Sequence, residues 1–464
     1  MSILLDVDSY KLSHFRQYPP GTTHVSSYIE ARGGPFDNAV FLGPQAWIKK
    51  NLLTPITNGD RDEWEMIARA HGFEPNVAGV DRIIKKHGGF LPVTIEAAPE
   101  GAVIPTRNVL SQVVNTDPEL PWLTSYLETS YLRAIWYPTT VASLSRKAKE
   151  LIYASLVRSS DDPDGQIAFK LHDFGARGAT SEEAAGLGGM AHLVNFMGTD
   201  TISGLMTARR YYQADMPGFS IPAAEHSTIT AWGKESEVDT YRNMLSQFGG
   251  AGKLVAVVSD SYDIYHAVDV LWGGELRSEV MSMGGTLVIR PDSGDPTTMP
   301  IEVIKRLMKT FGSTTNSKGY HVLPSCVRVI QGDGINLASL ETILANLEAE
   351  MISTDNIAFG MGAGLLQKVD RDTMQFAMKA SAVKQNGVWR EVYKDPISDH
   401  RKASKRGRLA LVYQCGIGSC GYRTVSEDYA STLNQDDVVM RPIYQNGELL
   451  VDDSFATIRE RAQL

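Results

Sequence analysis

GTLVIRPDSGD, Gly285–Asp295, is a short apolar, β-branched run that ends in a proline turn bearing an arginine and acids. The same texture recurs on both sides of it. Upstream are IAFKLHDFGARG (Ile167–Gly178), GFSIPAAEHS (Gly218–Ser227) and LVAVVSDSYD (Leu254–Asp263). Downstream are VRVIQGDG (Val327–Gly334) and NIAFGMGAG (Asn356–Gly364). Helix-like stretches lie between them: SEEAAGLGGMAHLVNFM (Ser181–Met197), IEVIKRLMKTF (Ile301–Phe311) and ASLETILANLEAEM (Ala338–Met351). Buried strands alternating with helices predict a parallel sheet with helical crossovers. Five or six such units suit an α/β barrel better than an open sheet.

Outside this core the texture changes. The chain up to about residue 150 mixes Pro/Gly turns with helical spacing, clearest in Leu123–Leu156. The polar, proline-bearing VRSSDDPDGQ (Val157–Gln166) predicts a loop and a boundary. From about residue 385 turns and short strands return, as in NGVWREVYKD, and this tail is expected to pack on the first part. The expected partition is 161–384 for the barrel, with 1–160 plus 385–464 as a second domain.

Composition narrows the function. Of 464 residues, 43% are hydrophobic and 21% charged, which fits globular chain rather than long disorder. Lys and Arg number 45 against 54 Asp and Glu, a net charge of −9. That disfavours a general nucleic-acid binder but leaves room for a local basic pocket. No apolar run reaches the ~20 residues of a membrane span, and MSILLDVDSYKLSHF does not read as a signal peptide. The 3 cysteines, Cys326, Cys415 and Cys420, have no metal spacing and are expected as free thiols in a reducing compartment. The expectation is a cytoplasmic enzyme that binds neither membrane nor nucleic acid.

Acids fall at the ends of the apolar runs: Asp173, Asp260, Asp292 and Asp333, together with Glu225 and His226. One such Asp is usually a helix N-cap. On successive barrel units they predict a shared site at the carboxyl ends of the strands. Glycine clusters at Gly332–Gly334 and Gly360–Gly364 follow strands, and the latter runs into a helix-like LLQKVDRD. Tight turns explain such clusters equally well taken singly; together they suit phosphate. Arg32, Arg177, Arg290, Arg371, Lys379 and Lys394 offer forks and point charges for phosphate oxygens. The basic run RKASKRGR (Arg401–Arg408) reads first as a solvated loop. Carboxylates, phosphate loops and arginines together predict phosphoryl or phosphoribosyl chemistry with magnesium, which is usually held by one or two carboxylates and substrate phosphates.

The runs DSYKLSHFRQYPPGT, KLHDFGARG, NFMGTDT, IPAAEHSTITAWGKE, VVSDSYDIY, VIRPDSGDP, NIAFGMGAGLLQKVDRD and SKRGRLAL closely resemble the nicotinamide phosphoribosyltransferase family of type II phosphoribosyltransferases, over nearly the whole chain. The resemblance implies an irregular α/β barrel with a second, β-rich domain built from both chain ends. It implies a homodimer with active sites at the subunit interface. The implied reaction joins nicotinamide to phosphoribosyl pyrophosphate, giving nicotinamide mononucleotide and pyrophosphate in NAD salvage, with Mg2+ and with ATP as co-substrate.

The same resemblance implies roles for residues. Phe174 and the partner subunit's Tyr10 would sandwich the nicotinamide ring. Asp200 would accept from the carboxamide nitrogen and repel the carboxylate of nicotinic acid, and Arg290 would donate to the amide oxygen. Asp292 would bind the ribose hydroxyls, with Arg177, Gly332, Asp333, Gly362 and Ala363 around the ribose-phosphate. Arg32, Arg371, Lys379 and Lys394 would bind pyrophosphate, and Asp260 and Asp292 would hold magnesium. His226 would be phosphorylated by ATP. Ala363 and Ala176 depart from the family pattern, which touches fine contacts and not the reaction. The rival readings are a nicotinate phosphoribosyltransferase and a non-catalytic binding or signalling protein of the same fold.

Overall fold

The computed structural model describes residues 2–398, 403–416 and 419–463. Arg401 and Lys402 of the basic run lie outside the described residues. The chain forms two compact units: Met1–Ser143 with Arg210–Ala214 and Asp370–Gln463, and Leu144–Arg209 with Asp215–Val369.

The first unit is built on an antiparallel sheet of 7 strands drawn from both ends of the chain. Thr22–Glu30 lies between Ala377–Gln385 and Val109–Asn115. Val109–Asn115 is buried along its whole length, so its polar members need internal partners. Ser111 Oγ donates to Glu96 O at 2.8 Å and Gln112 Nε2 to Glu96 Oε2 at 3.0 Å. The expected barrel boundary at residue 384 does not hold. Ala377–Gln385 instead pairs with Thr22–Glu30, Lys379 opposite Tyr28. Alternating strand texture looks the same in either sheet, and only the pairing separates them.

The second unit holds the barrel. Its parallel strands are β1 (Leu171–Asp173), β2 (Gly198–Thr199), β3 (Leu254–Val258), β4 (Thr286–Arg290), β5 (Val327–Gln331) and β6 (Ile357–Met361). Their order is β2-β1-β6-β5-β4-β3. The segment Phe219–Ala224 closes the ring. It bridges Gly198 at one end and Ala256 at the other, both in parallel sense. The segment is expected as a strand from its sequence, but it makes isolated bridges only, because Pro222 has no N–H to give a ladder. Inside the ring Ala256, Val288 and Ile330 form a layer with Ile221 and Ala358, and Phe174 packs against it. The alternate positions Val255, Val257, Leu287, Ile289, Val329 and Phe359 are fully buried; they point the other way, toward the helices. Met299–Phe311 buries Ile301, Ile304, Leu307 and Phe311 at helical spacing. Leu337–Ala349 starts at an Asn336 capping box and buries Leu340, Ile343, Leu344 and Leu347.

The cysteine expectation is corrected. Cys415 and Cys420 are directly opposed across the hairpin Leu409–Gly416/Ser419–Ser426 and form a disulfide, while Cys326 is free. A spacing of five residues carries no metal signature, but a hairpin turns it into a cross-strand pair. No helix among the described residues is long and apolar enough to cross a membrane.

Candidate active site

Every stave of the barrel delivers a residue of the expected site to the same rim: an aromatic ring, a charged group or a glycine. Phe174 follows β1, Asp200 follows β2 and Glu225–His226 follow the closing segment. Asp260 comes after β3, Arg290 and Asp292 at the end of β4, Gly332–Gly334 after β5 and Gly362–Gly364 after β6. Parallel strands end at one face, so their last residues converge.

Distances define one group of charges. His226 Nε2 lies 3.5 Å from Asp292 Oδ2 and 3.7 Å from Asp260 Oδ1. Its Nδ1 is 3.1 Å from Ser261 Oγ. Arg290 Nε stands 3.7 Å from Asp292 Oδ1. Asp260 Oδ2 accepts from Asp292 N at 3.1 Å and from Ser293 Oγ at 2.5 Å, which ties the two strand ends together. Asp260 Oδ1 and Arg290 Nε are buried without a hydrogen-bond partner. Buried orphans of this kind fit a site that a ligand completes.

A second group is a flat slot. Phe174 lies across Gly360 and Gly332: a β-carbon at Gly360 would stand 2.1 Å from its ring, and one at Gly332 3.3 Å from the ring and 3.6 Å from Asp292 Oδ1. Any larger residue at Gly360 would displace the ring. Asp200 Oδ1 receives His172 Nε2 at 3.0 Å and Ser220 Oγ at 2.5 Å. Burial works to raise the Asp200 pKa, but the hydrogen bonds from His172 and Ser220 and the charge of Arg290 outweigh it, and the net shift is downward. Asp200 is therefore held as the anion. His172 and Ser220 were not singled out from sequence. His172 had a signal, since it sits two residues before Phe174 and so shares its face of β1; Ser220 had none.

Other expected residues divide. Asp173 is corrected: it is fully buried, points away from the rim, and accepts from Gly175 N at 2.7 Å and Thr199 Oγ1 at 3.4 Å. Alternation along β1 puts it opposite His172 and Phe174. Arg177 is exposed on a turn that packs on Ala363, with a β-carbon at Gly178 placed 3.0 Å from that of Ala363. Asp333 is exposed on its loop, where its carbonyl accepts from Gln331 Nε2 at 2.9 Å. The helix expected after the GMGAG loop is only Ala363–Leu366, because Asp370 accepts from Thr373 N and starts a turn instead. Ala363 is helical, so the departure from glycine costs no backbone strain.

The remaining expected residues lie in the sheet unit. Tyr10 and Lys379 line a cavity of about 370 Å³ together with Lys11, His14, Tyr18 and Glu128. Arg32 Nε pairs with Glu30 at 2.9 Å, and Lys405 is the other cation on Glu30. Arg371 is exposed beside Asp372, and Lys394 is exposed. Burial lowers the Lys379 pKa, Glu128 opposes that, and the nearby charges of Arg32, Lys394 and Lys11 add to it. Lys379, Arg32, Lys394 and Lys11 thus form one cluster.

Residues 169–447 match the nicotinate phosphoribosyltransferase (NAPRTase) family, and residues 2–95 match the nicotinamide phosphoribosyltransferase N-terminal domain. A nicotinamide phosphoribosyltransferase of Xanthomonas campestris is 51% identical over 462 residues, covering 99% of this chain and 98% of that protein. One from Acinetobacter baylyi is 30% identical, covering 98% and 96%. Among solved structures, nicotinate-nucleotide pyrophosphorylase from Pyrococcus furiosus aligns with a TM-score of 0.62 at 15% identity, over 99% of this chain and 94% of that one. Human nicotinic acid phosphoribosyltransferase aligns with a TM-score of 0.53 at 14% identity, over 98% and 92%. These last two speak for the fold alone. A barrel rim that pairs an aromatic slot with an acid and arginine cluster, and relatives alike over their full length, identify this chain as a member of the nicotinamide phosphoribosyltransferases within the nicotinate phosphoribosyltransferase family.

Proposed function

We propose that this protein transfers the phosphoribosyl group of phosphoribosyl pyrophosphate to nicotinamide, giving nicotinamide mononucleotide and pyrophosphate. One observation carries this reading: the Phe174 slot, with anionic Asp200 at its edge, adjoins Arg290, Asp292 and His226. A flat ring stacks on Phe174 and offers its amide N–H to Asp200. Arg290 donates to the amide oxygen. The pyridine nitrogen then faces the anomeric carbon held by Asp292 on the ribose hydroxyls. The C–N bond forms as the C–O bond to pyrophosphate breaks, and the leaving group takes the electron pair. The transition state is oxocarbenium-like. Carboxylates beside the ribose favour that positive charge, and positioning supplies much of the rest.

Arg177, Gly332, Asp333, Gly362 and Ala363 are assigned to the ribose-phosphate, and Arg32, Arg371, Lys379 and Lys394 to the leaving pyrophosphate. The second aromatic face is assigned to Tyr10 of the partner subunit in a homodimer. Asp260 and Asp292 suit a magnesium ion that arrives with substrate. No three His, Cys, Asp or Glu side chains gather as a metal set among the described residues, yet Asp260 Oδ1 is a buried carboxylate oxygen without a hydrogen-bond partner, and hard cations take such oxygens. When bound there, magnesium would neutralise charge on the pyrophosphate. His226 is assigned as the acceptor of the ATP γ-phosphoryl group: an N–P bond forms, ADP leaves, and later hydrolysis returns free histidine. Ser261 on Nδ1 leaves Nε2 for that bond. The enzyme is assigned to cytoplasmic NAD salvage.

Anionic Asp200 argues against nicotinate as the preferred base, since two carboxylates would face each other at the edge of the slot. The purified protein with phosphoribosyl pyrophosphate, magnesium and either base tests this. Nicotinamide mononucleotide is the expected main product. Preference for nicotinate would select the nicotinate reading, and no turnover with either base would select a binding role.

A further inference from the structure

Glu128 opens the helix Glu128–Ser159 and stands between lysines from separate parts of the sheet unit. Lys11 Nζ lies 2.7 Å from Glu128 Oε2, and Lys379 Nζ lies 3.7 Å from Glu128 Oε1. Lys11 is only 2% exposed, whereas Lys379 is 35% exposed and faces the 370 Å³ cavity. Lys379 Nζ also donates to the Met378 carbonyl at 2.6 Å, so a fixed geometry aims it. Cations packed this closely repel one another, and a partly buried lysine answers by losing its proton. A neutral lysine is a poor phosphate ligand.

We infer that Glu128 is a positioning residue that keeps Lys379 charged and directed into the cavity for the pyrophosphate group. This rests on the pyrophosphate role proposed above for Lys379. Glu128 reaches no substrate; it acts through the ammonium beside it. Lys11 plays the opposing part. It takes one carboxylate oxygen for itself and adds a repelling charge near Lys379.

The groups that face Lys379 are Lys11, Tyr10, His14 and Tyr18 from the N-terminal segment, Glu128 from the helix, Tyr28 from the strand Thr22–Glu30, Arg32 just beyond that strand, and Lys394. Burial lowers the His14 pKa below its ordinary value, and burial raises those of Tyr18 and Tyr28. None of these three should titrate across the neutral-to-alkaline range in a way that mimics Lys379.

The test is calorimetric titration of inorganic pyrophosphate into the full-length protein between about pH 6.5 and about pH 9.5, each variant taken as a ratio to the unmodified protein. Lys379→Met should bind weakly and lose the alkaline limb. Glu128→Gln should begin to lose affinity at lower pH and fall roughly fivefold behind at the alkaline end. Lys11→Gln should move the limb to higher pH, the opposite direction, because Glu128 is then free for Lys379. A merely structural defect would not give opposite signs. If Glu128→Gln does not fold, the Lys11→Gln shift carries the test. Normal pyrophosphate binding by Lys379→Met would overturn the Lys379 role and the inference with it. A Glu128→Gln profile that overlays the unmodified protein, with Lys379→Met impaired, would overturn the inference alone, as would a Lys11→Gln limb moving to lower pH.

Discussion

On the barrel rim Asp200, Asp260 and Asp292 surround Arg290 and His226, and their hydrogen-bond donors are mostly neutral: Ser220, Ser293 and the Asp292 amide. In the sheet unit the proportion is reversed. Lys11 and Lys379 share Glu128, and Arg32 and Lys405 share Glu30. Neutral donors leave the rim its negative charge, which suits a sugar turning cationic. Shared carboxylates leave the second cluster a positive surplus, which suits a departing diphosphate. Each region thus keeps its sign by the kind of partner it uses, within a chain of net charge −9.

Asp292→Asn removes charge beside the ribose while keeping shape. We expect kcat/KM to fall about 10³-fold in steady-state assays; a loss under about tenfold would deny the rim its electrostatic part.

The two units also differ in their buried titrations. Burial pushes Glu100 in the sheet unit up to about 7, and burial pushes Lys170 in the barrel down to about 7. Lys170 Nζ is held by the carbonyls of Thr354, Asp355 and Ile357 at 2.9, 3.2 and 2.9 Å. The signs are opposite. Folded Glu100 binds its proton more tightly than the unfolded chain does. Its contribution is present below the unfolded value of 4.5 and lost as pH rises through about 7. Folded Lys170 binds its proton less tightly, so its contribution is present above 10.5 and lost as pH falls through about 7. Glu100 contributes on the order of 3 kcal/mol and Lys170 on the order of 5 kcal/mol. Urea unfolding against pH should lose its acid-side slope in Glu100→Gln and its alkaline-side slope in Lys170→Met.

Asp200→Asn sharpens the slot. Relative use of nicotinic acid over nicotinamide should rise about tenfold or more, read as a ratio of kcat/KM values; an unchanged ratio removes Asp200 from base selection. The smallest effect is expected at His226→Ala. Stimulation by ATP should vanish while basal transfer falls roughly severalfold at most, and retained stimulation would reject the phosphohistidine.

Period and punctuation made much of this legible. The apolar runs ending at Val258, Arg290, Gln331 and Met361 are barrel strands, and residues at or just past their ends lie on one rim. Chain order could not say which face of a strand each end residue takes until β1 was aligned with its neighbours. That is why Asp173 and His172 exchange their expected importance. It also could not show which cations share a carboxylate, since Lys11, Glu128 and Lys379 are far apart in the chain.

The class of fold and the family are legible along the linear chain, because hydrophobic period and long motifs are local properties that survive without coordinates. Tertiary structure alone decided the closure of the ring by Phe219–Ala224, the disulfide across the Cys415–Cys420 hairpin, and the partners of every buried charge. Pairing of that kind depends on which distant segments meet, and a linear code of residue types does not contain those distances.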